Sequence, residues 1–312
     1  MSETRRNAFG LLCDFITPRI PLPLVKRFLD GFNRSLELRN WSQFHVRPYN
    51  FACPIVDPTE VDPGKLKARG ALGDTLLDYG NIEPLVRAIQ PHAKEIHHFP
   101  VEPDGKSQYW FKNNAYDAYD ATILHGLIRH LKPKRVVEAG SGFSSMVMTT
   151  AANMNAAEGH PVEILHIEPY PSERLLNYPL AGKLLKEKIE DLDTSLFRSF
   201  SANDILFIDS THVLKTQSDL VYVFNYVLPL LPSGVYVHFH DVFTPYDADE
   251  HMLFEMQWSW NEQYALEAIL LNSDRFEVIV PSFALVKENP ELMKQFVPWE
   301  TAIPKGFWIR TR

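Results

Sequence analysis

Cysteine, long apolar runs and excess positive charge are what this chain lacks, and each absence excludes something. Its two cysteines, Cys13 and Cys53, lie far apart and form no metal-binding or redox spacing, so a disulfide framework is not expected and a reducing compartment fits. No stretch approaches the roughly 18 apolar residues of a membrane helix. The apolar segment after Arg5 and Arg6 is short and broken by Asp14, which argues against a secretion signal. The expected location is therefore cytoplasmic, with no membrane span. Against 39 acidic residues stand 31 basic ones, and the net charge of −8 argues against nucleic acid as the main partner. No internal repeat, low-complexity tract or heptad seam appears. What remains, 312 residues at 45% hydrophobic content, suffices for one large α/β core with an appendage.

The most informative stretch that is present runs from Val136 to Ser145. Arg135 to Glu138 is a short β-rich run, Gly140 and Gly142 let backbone approach a ligand with no Cβ in the way, and Ser144-Ser145 can open a helix whose free N–H groups face that ligand. A dinucleotide loop needs a third glycine three residues after the second, where this chain has Ser145, so NAD and FAD are disfavoured. No Gly-Lys-Ser/Thr follows either, which disfavours a nucleoside triphosphate.

The remaining pattern, Glu-x-Gly-x-Gly at a strand end, resembles the first motif of the class I S-adenosylmethionine-dependent methyltransferases. That resemblance covers about Tyr109 to Arg310. It implies a doubly wound, mostly parallel α/β sheet of seven strands, the Rossmann-like methyltransferase fold, ending in a hairpin-like pair at Phe276–Val280 and Gly306–Arg310 with one strand antiparallel. It also implies that Glu138, Gly140, Ser141 and Gly142 hold the methionine part of S-adenosylmethionine. Val162 to Glu168 reads as the second strand, and a carboxylate at its tip, Glu168, is placed to accept hydrogen bonds from both ribose hydroxyls. The interval from Gly142 to Glu168 exceeds the roughly 20 residues of a compact unit, and the turn Ala156–Pro161 accounts for the excess. A third strand-like stretch is harder to see. Lys188–Asp191 sits where the family carries a polar residue near the adenine, and this assigns Asp191 to the cofactor. The segment before the helix at Ala121–Leu131 folds over the cofactor in the family, which brings in Tyr116 and Asp117; Asp120 as a helix cap explains the same letters.

Two further strands carry the chemistry. Asp204–Asp209 is a continuous apolar run flanked by acids, as in a central parallel strand, and is followed by Ser210-Thr211-His212. Val235–Asp241 ends in His240 and Asp241. Open α/β sheets gather ligands at strand tips, so Asp209, His212, His240 and Asp241 are expected to converge. Methyl transfer to a hydroxyl needs in-line positioning and removal of a proton, and a histidine of ordinary pKa suits a general base. The Asp-x-x-His element followed by an acidic strand tip is similar to the metal-dependent sugar O-methyltransferases of macrolide biosynthesis. Carried across, Asp209 is a metal ligand, His212 the base and Asp241 a second ligand, with Mg or Mn as the ion. His240 stands where that pattern has a carboxylate, and imidazole suits manganese, iron or zinc better than magnesium. A metal-free His–Asp arrangement stays open. His238 shares a strand face with His240. Most of the 12 histidines, among them His92, His97, His98 and His125, have no partner spacing that assigns them chemistry.

After Asp241 comes a polar, aromatic loop to His251 that resembles an acceptor lid, then Trp258 to Tyr264 leading into a helix at Ala265–Leu271 with Leu266, Ile269 and Leu270 inward. Trp258, Trp260 and Tyr264 either stack on an acceptor or fill core. Residues 1–104 are rich in proline and aromatics and read as an accessory region, with 105–312 as the catalytic domain. Within the first part Leu22–Leu38 is an amphipathic helix candidate for packing on the main domain or on a second subunit, giving a homo-oligomer, and Phe51–Pro58 is an extended connector. The expected partner is a small-molecule or glycan acceptor. A noncatalytic cofactor- or glycan-binding protein of the same fold and an NAD-linked oxidoreductase are the alternatives.

Overall fold

Four short runs of apolar residues make the centre of the sheet because both faces of each are covered. In β4, Ile205–Ile208, all four side chains are buried: Ile205 and Phe207 face one layer of helices while Leu206 and Ile208 face the other. Burial of each such side chain is worth roughly 1.5–3 kcal/mol. The computed structural model describes residues 70–256, 258–297 and 303–312, together with residues 23, 24, 27, 31, 55, 56, 61 and 62. Contacts divide the chain into Met1–Val56 and Asp57–Arg312, and every strand among the described residues belongs to the second unit. The expected helix at Leu22–Leu38 and the connector at Phe51–Pro58 lie largely outside the described residues.

The sheet has seven strands in the order β3-β2-β1-β4-β5-β7-β6. Their ranges are β1 Arg135–Ala139, β2 Glu163–Ile167, β3 Lys183–Leu185, β4 as above, β5 Tyr236–Phe239, β6 Phe276–Pro281 and β7 Phe307–Thr311. Strands β1 to β5 pair in parallel, and β7 is antiparallel to both β5 and β6, the expected Rossmann-like methyltransferase arrangement. With the helices numbered in chain order and α1 being Gly70–Leu76, one face is covered by α2 Tyr79–Ala93, α3 Ala118–Leu131 and α4 Phe143–Ala157, which supply most of its buried side chains. The other face packs against α1 through Leu76, against the short helices α6 Ser195–Arg198 and α7 Asp219–Tyr222 through Phe197 and Leu220, and against α8 Glu262–Asn272 through Leu266, while α5 Glu173–Asn177 sets Arg174 over the Phe143 ring at the start of α4. Beyond Tyr222, the helix widens into one π turn over Val223–Val227 and then tightens over Leu228–Leu230, where Pro229 has no N–H to continue it.

Two differences from the sequence reading bear on the site. The third strand is three residues at Lys183–Leu185, too short to give a pattern, and Ile189–Asp191 is a tight turn. Helix α3 starts at Ala118, so Asp120 lies inside its first turn instead of capping it. Asp117 accepts from the backbone N–H groups of Asn113 and Asn114, both at 2.9 Å, and so closes the preceding loop. No helix among the described residues is long and apolar enough to cross a membrane.

Candidate active site at the strand tips

The chain reverses its direction of winding between β1 and β4, and the crevice there is where an α/β sheet takes a ligand. Gly140, at φ +85°, turns the chain off β1; a Cβ there would stand 1.6 Å from the carbonyl oxygen of Asp209. Its lack of a side chain thus serves the contact between two strand tips. Gly142 is the opposite case, since a Cβ added to it meets nothing within 4 Å. A cleft of about 400 Å³ opens beside these tips, lined among others by Gly140, Glu168, Tyr170, Glu190 and Asp209. Glu168 accepts from the backbone N–H of Ser141 at 3.3 Å and of Tyr170 at 2.7 Å, which aims its carboxylate across the cleft mouth.

Glu138 is fully buried and does not face the cleft. It accepts from the Ser144 and Ser145 hydroxyls and is joined to Nδ1 of His166, each at 2.6 Å, so it binds β1 and β2 to the start of α4. Burial lowers the His166 pKa, but the Glu138 carboxylate outweighs burial and raises it. Ser145 occupies the position of the third glycine of a dinucleotide loop. Its hydroxyl also accepts from the Gly142 N–H at 3.1 Å. Asp191 stands outside the cleft wall, where its neighbour Glu190 takes the place. Tyr116 does not line the cleft either. Its ring is buried and lies 5.2 Å from that of His240.

The four polar tips do meet. His212 Nε2 is 3.4 Å from Asp209 Oδ1 and 3.7 Å from Asp241 Oδ2. His240 Nδ1 is 3.2 Å from Asp241 Oδ2 and 3.6 Å from Asp209 Oδ1. Asp209 is the hinge of the arrangement because it also lines the cleft. His212 and Asp241 have left-handed backbone, with φ of 60° and 57°, a cost of about 1 kcal/mol or more each that is borne where surrounding contacts over-determine the geometry.

Three residues that carry this geometry were not among the site residues expected from the sequence, where Asp120 stood only as a helix cap. Glu262, 2% exposed at the start of α8, has Oε1 2.5 Å from His212 Nδ1. Asp120 accepts from the backbone N–H groups of Lys305 and Gly306, and its Oδ2 lies 3.5 Å from His240 Nε2. Lys305 Nζ is 3.3 Å from Asp241 Oδ1. An available signal for Glu262 was its place in the run Asn261-Glu262-Gln263, three polar residues at the start of an inward-facing helix. Each ties down a different loop. Asn261 Oδ1 accepts from Leu214 N at 2.7 Å, Glu262 holds His212, and Gln263 Oε1 accepts from Phe243 N at 2.7 Å.

These partners set the charges. Burial lowers the His212 pKa, but the carboxylates of Asp209 and Glu262 outweigh it and push it up to about 10. The expectation of an ordinary histidine pKa is therefore corrected: between two acids the ring is an imidazolium at neutral pH. Burial likewise works against His240, yet Asp209 and Asp241 hold its pKa well above the usual value. His238, fully buried and stacked on Phe207 at 4.1 Å, has no hydrogen-bond partner among the described residues and is kept neutral by desolvation.

A second, smaller hollow adjoins the cluster. Asp241, Glu262, Met252, Trp258 and Trp260 help to line it. The Trp260 ring lies tilted against His212 at 4.2 Å and Trp258 stacks on Trp260 at 4.3 Å, so a run of rings leads from His212 to Trp258, which is 38% exposed.

Parts of the chain are similar to known proteins. Residues 137–242, about a third of the chain, match a family described as a methyltransferase domain. A protein of Archaeoglobus fulgidus, described only as uncharacterized, is 32% identical over 117 residues, covering 36% of this chain and 52% of its own length. The chain thus spans about half of that relative. Among solved structures, a Listeria monocytogenes protein provisionally described as an S-adenosylmethionine-dependent methyltransferase aligns at 15% identity over 62% of this chain and 99% of its own, with a TM-score of 0.34. One from Thermobifida fusca, provisionally described as a methyltransferase, aligns at 12% identity over 78% and 97%, with a TM-score of 0.33.

Proposed function

We propose that the protein is a class I S-adenosylmethionine-dependent methyltransferase that moves a methyl group from S-adenosylmethionine to a hydroxyl of a small, sugar-like acceptor, a reading supported by the match of residues 137–242 to a methyltransferase-domain family. The observation that carries this is the position of Asp209, which belongs at once to the wall of the cofactor cleft and to the cluster of His212, His240 and Asp241. Glu168 takes the ribose in this reading, and the open space over Gly142 takes the methionine end. The acceptor enters by the second hollow and stacks on Trp258, with its hydroxyl directed at His212 Nε2.

The acceptor oxygen displaces the thioether in line, and its proton passes to His212, the general base. The charge of Asp209 and Glu262 holds a proton on that ring, and a bound sulfonium would supply positive charge that opposes it, so that Nε2 could give up its proton and then accept the acceptor's. Asp209, His240 and Asp241 each offer an atom, all within 4.8 Å of one another, a donor set that fits a divalent ion. Such an ion would supply Lewis acidity toward the acceptor hydroxyl. The setting is cytoplasmic in this proposal.

The test is methyl incorporation from labelled S-adenosylmethionine across a panel of hydroxylated acceptors, with and without manganese or magnesium. Transfer by the native chain and its loss in His212→Ala are expected. Transfer at the native rate in His212→Ala removes the histidine from the chemistry, and binding of S-adenosylmethionine without transfer to any hydroxyl favours a noncatalytic role.

A further inference from the structure

We propose that His240 sets which divalent ion this centre accepts, binding through Nδ1 with Asp120 fixing the ring from behind, so that manganese or ferrous iron is taken in preference to magnesium. This rests on the methyltransferase reading for its purpose, though not for its geometry. The imidazole is 2% exposed and cannot swing out to solvent. Its Nδ1 faces Asp209 Oδ1 and Asp241 Oδ2, and these three atoms form the one group of metal-ligating character among the described residues.

The other edge of the ring supplies the second observation. Nε2 makes no hydrogen bond, and the carboxylate 3.5 Å away is Asp120. Asp120 is itself held, by the N–H of Gly306 at 2.9 Å and of Lys305 at 3.0 Å. A ring that gives Nδ1 to an ion must carry its proton on Nε2, and a buried carboxylate beside that proton is how proteins fix a ligating histidine. Asp241 is divided in the same way: Oδ1 lies against the Lys305 ammonium, which leaves Oδ2 turned to the centre. Lys305 also cancels part of the negative charge on which a purely electrostatic magnesium site depends. Two carboxylate oxygens and one imidazole nitrogen are poor ligation for magnesium, which keeps to oxygen, and good ligation for manganese or ferrous iron.

The experiment strips the full-length protein with chelator, titrates it with Mn²⁺ while following the electron paramagnetic resonance of the free ion, and competes with Mg²⁺. S-adenosylmethionine binding is measured separately by calorimetry. The native chain is expected to take up one Mn²⁺ that about a hundredfold excess of Mg²⁺ does not displace. His240→Asp, which restores an all-oxygen set, should shift the Mn²⁺-over-Mg²⁺ preference toward magnesium by about tenfold or more. Asp120→Asn provides a second variant and should weaken Mn²⁺ by about 10- to 100-fold while keeping the order of preference. Equal competition by Mg²⁺ in the native chain, an unchanged preference in His240→Asp, or no Mn²⁺ uptake by a protein that binds S-adenosylmethionine would each overturn the inference. Mn²⁺ uptake of the expected kind by a protein that does not bind S-adenosylmethionine would overturn the transferase reading and leave the metal assignment standing.

Discussion

Glu262 and His212 are 50 positions apart in the chain and meet through a 2.5 Å contact between Oε1 and Nδ1, which leaves Nε2 as the ring nitrogen that faces Asp209 and Asp241. The pair has the logic of a nucleophile's base and its orienting acid: one carboxylate fixes the ring so that its other nitrogen points at the acceptor. Glu262→Gln keeps the shape and an acceptor for Nδ1–H but removes the charge. It should lower kcat by about 100-fold or more, with little change in affinity for S-adenosylmethionine. Steady-state rates beside calorimetry check this, and a rate within twofold of the native one would show that Glu262 does not act through His212.

That pair also marks where sequence reasoning stopped. Strands β1, β2, β4 and β5 were legible because buried parallel strands are continuous apolar runs, and their polar ends Glu168, Asp209, His240 and Asp241 announced the tips. Glu262 was not, because an acid in the first turn of a helix is also what the helix dipole favours, and nothing in local spacing says it reaches back fifty residues. Asp120 was hidden for the same reason, looking like a cap while serving β7 and His240 from inside α3. Strand β3 failed for a different reason. Three residues at a sheet edge carry too little periodicity to stand out from the turn that follows.

The two acids of the cofactor region should separate cleanly by experiment. Glu168 is partly exposed and accepts from two backbone N–H groups, so Glu168→Ala should leave the melting temperature nearly unchanged while weakening S-adenosylmethionine binding by about 10- to 100-fold, the value of a charged hydrogen bond or two. Glu138→Ala removes a buried acceptor from Ser144, Ser145 and His166, and about 3 kcal/mol or more of stability should go with it. Unfolding curves and calorimetry on both variants decide the matter; unchanged affinity in Glu168→Ala would end the ribose assignment.

The two glycines of the loop differ in the same manner. Gly140→Ala places a methyl group against the Asp209 carbonyl at a positive φ, and the tip of β1 must then part from that of β4. A loss of several kcal/mol, on the order of 3 or more, is expected in chemical denaturation. Gly142→Ala meets open space, so its denaturation midpoint should match the native one and its defect should appear only in cofactor affinity.

Trp258 offers a test of the acceptor's route. Its stack on Trp260 leaves it 38% exposed beside the second hollow. Trp258→Ala should raise the acceptor KM by about tenfold, a loss of roughly 1 kcal/mol of stacking, with kcat and the KM for S-adenosylmethionine little altered. A fall in kcat alone would place the indole in the support of His212 instead.

Far from the site, α2, α3 and α4 are joined by a polar knot whose response to pH has a definite sign. Glu95 accepts from Arg129 Nε and from His125 Nε2, both at 2.8 Å, and His92 Nδ1 lies 3.0 Å away. Burial lowers the His125 pKa to about 4 although Glu95 works against it. The unfolded chain therefore binds a proton at this residue below its ordinary value of about 6.5, while the folded chain does so only near 4, so acidification through that window favours unfolding. The contribution is at most about 3 kcal/mol from a shift of this size. Glu95 extends the trend to lower pH. Burial raises its pKa, but Arg129, His92 and His125 together hold it at about 2, so the stability it gives above the ordinary carboxylate value is lost as pH falls from about 4.5 toward 2. The melting temperature of the native chain should thus fall steadily from pH 6.5 to pH 4. His125→Gln can still donate to Glu95 and does not titrate, so its curve should be flatter over that interval; equal slopes in the two proteins would mean that His125 does not carry the effect.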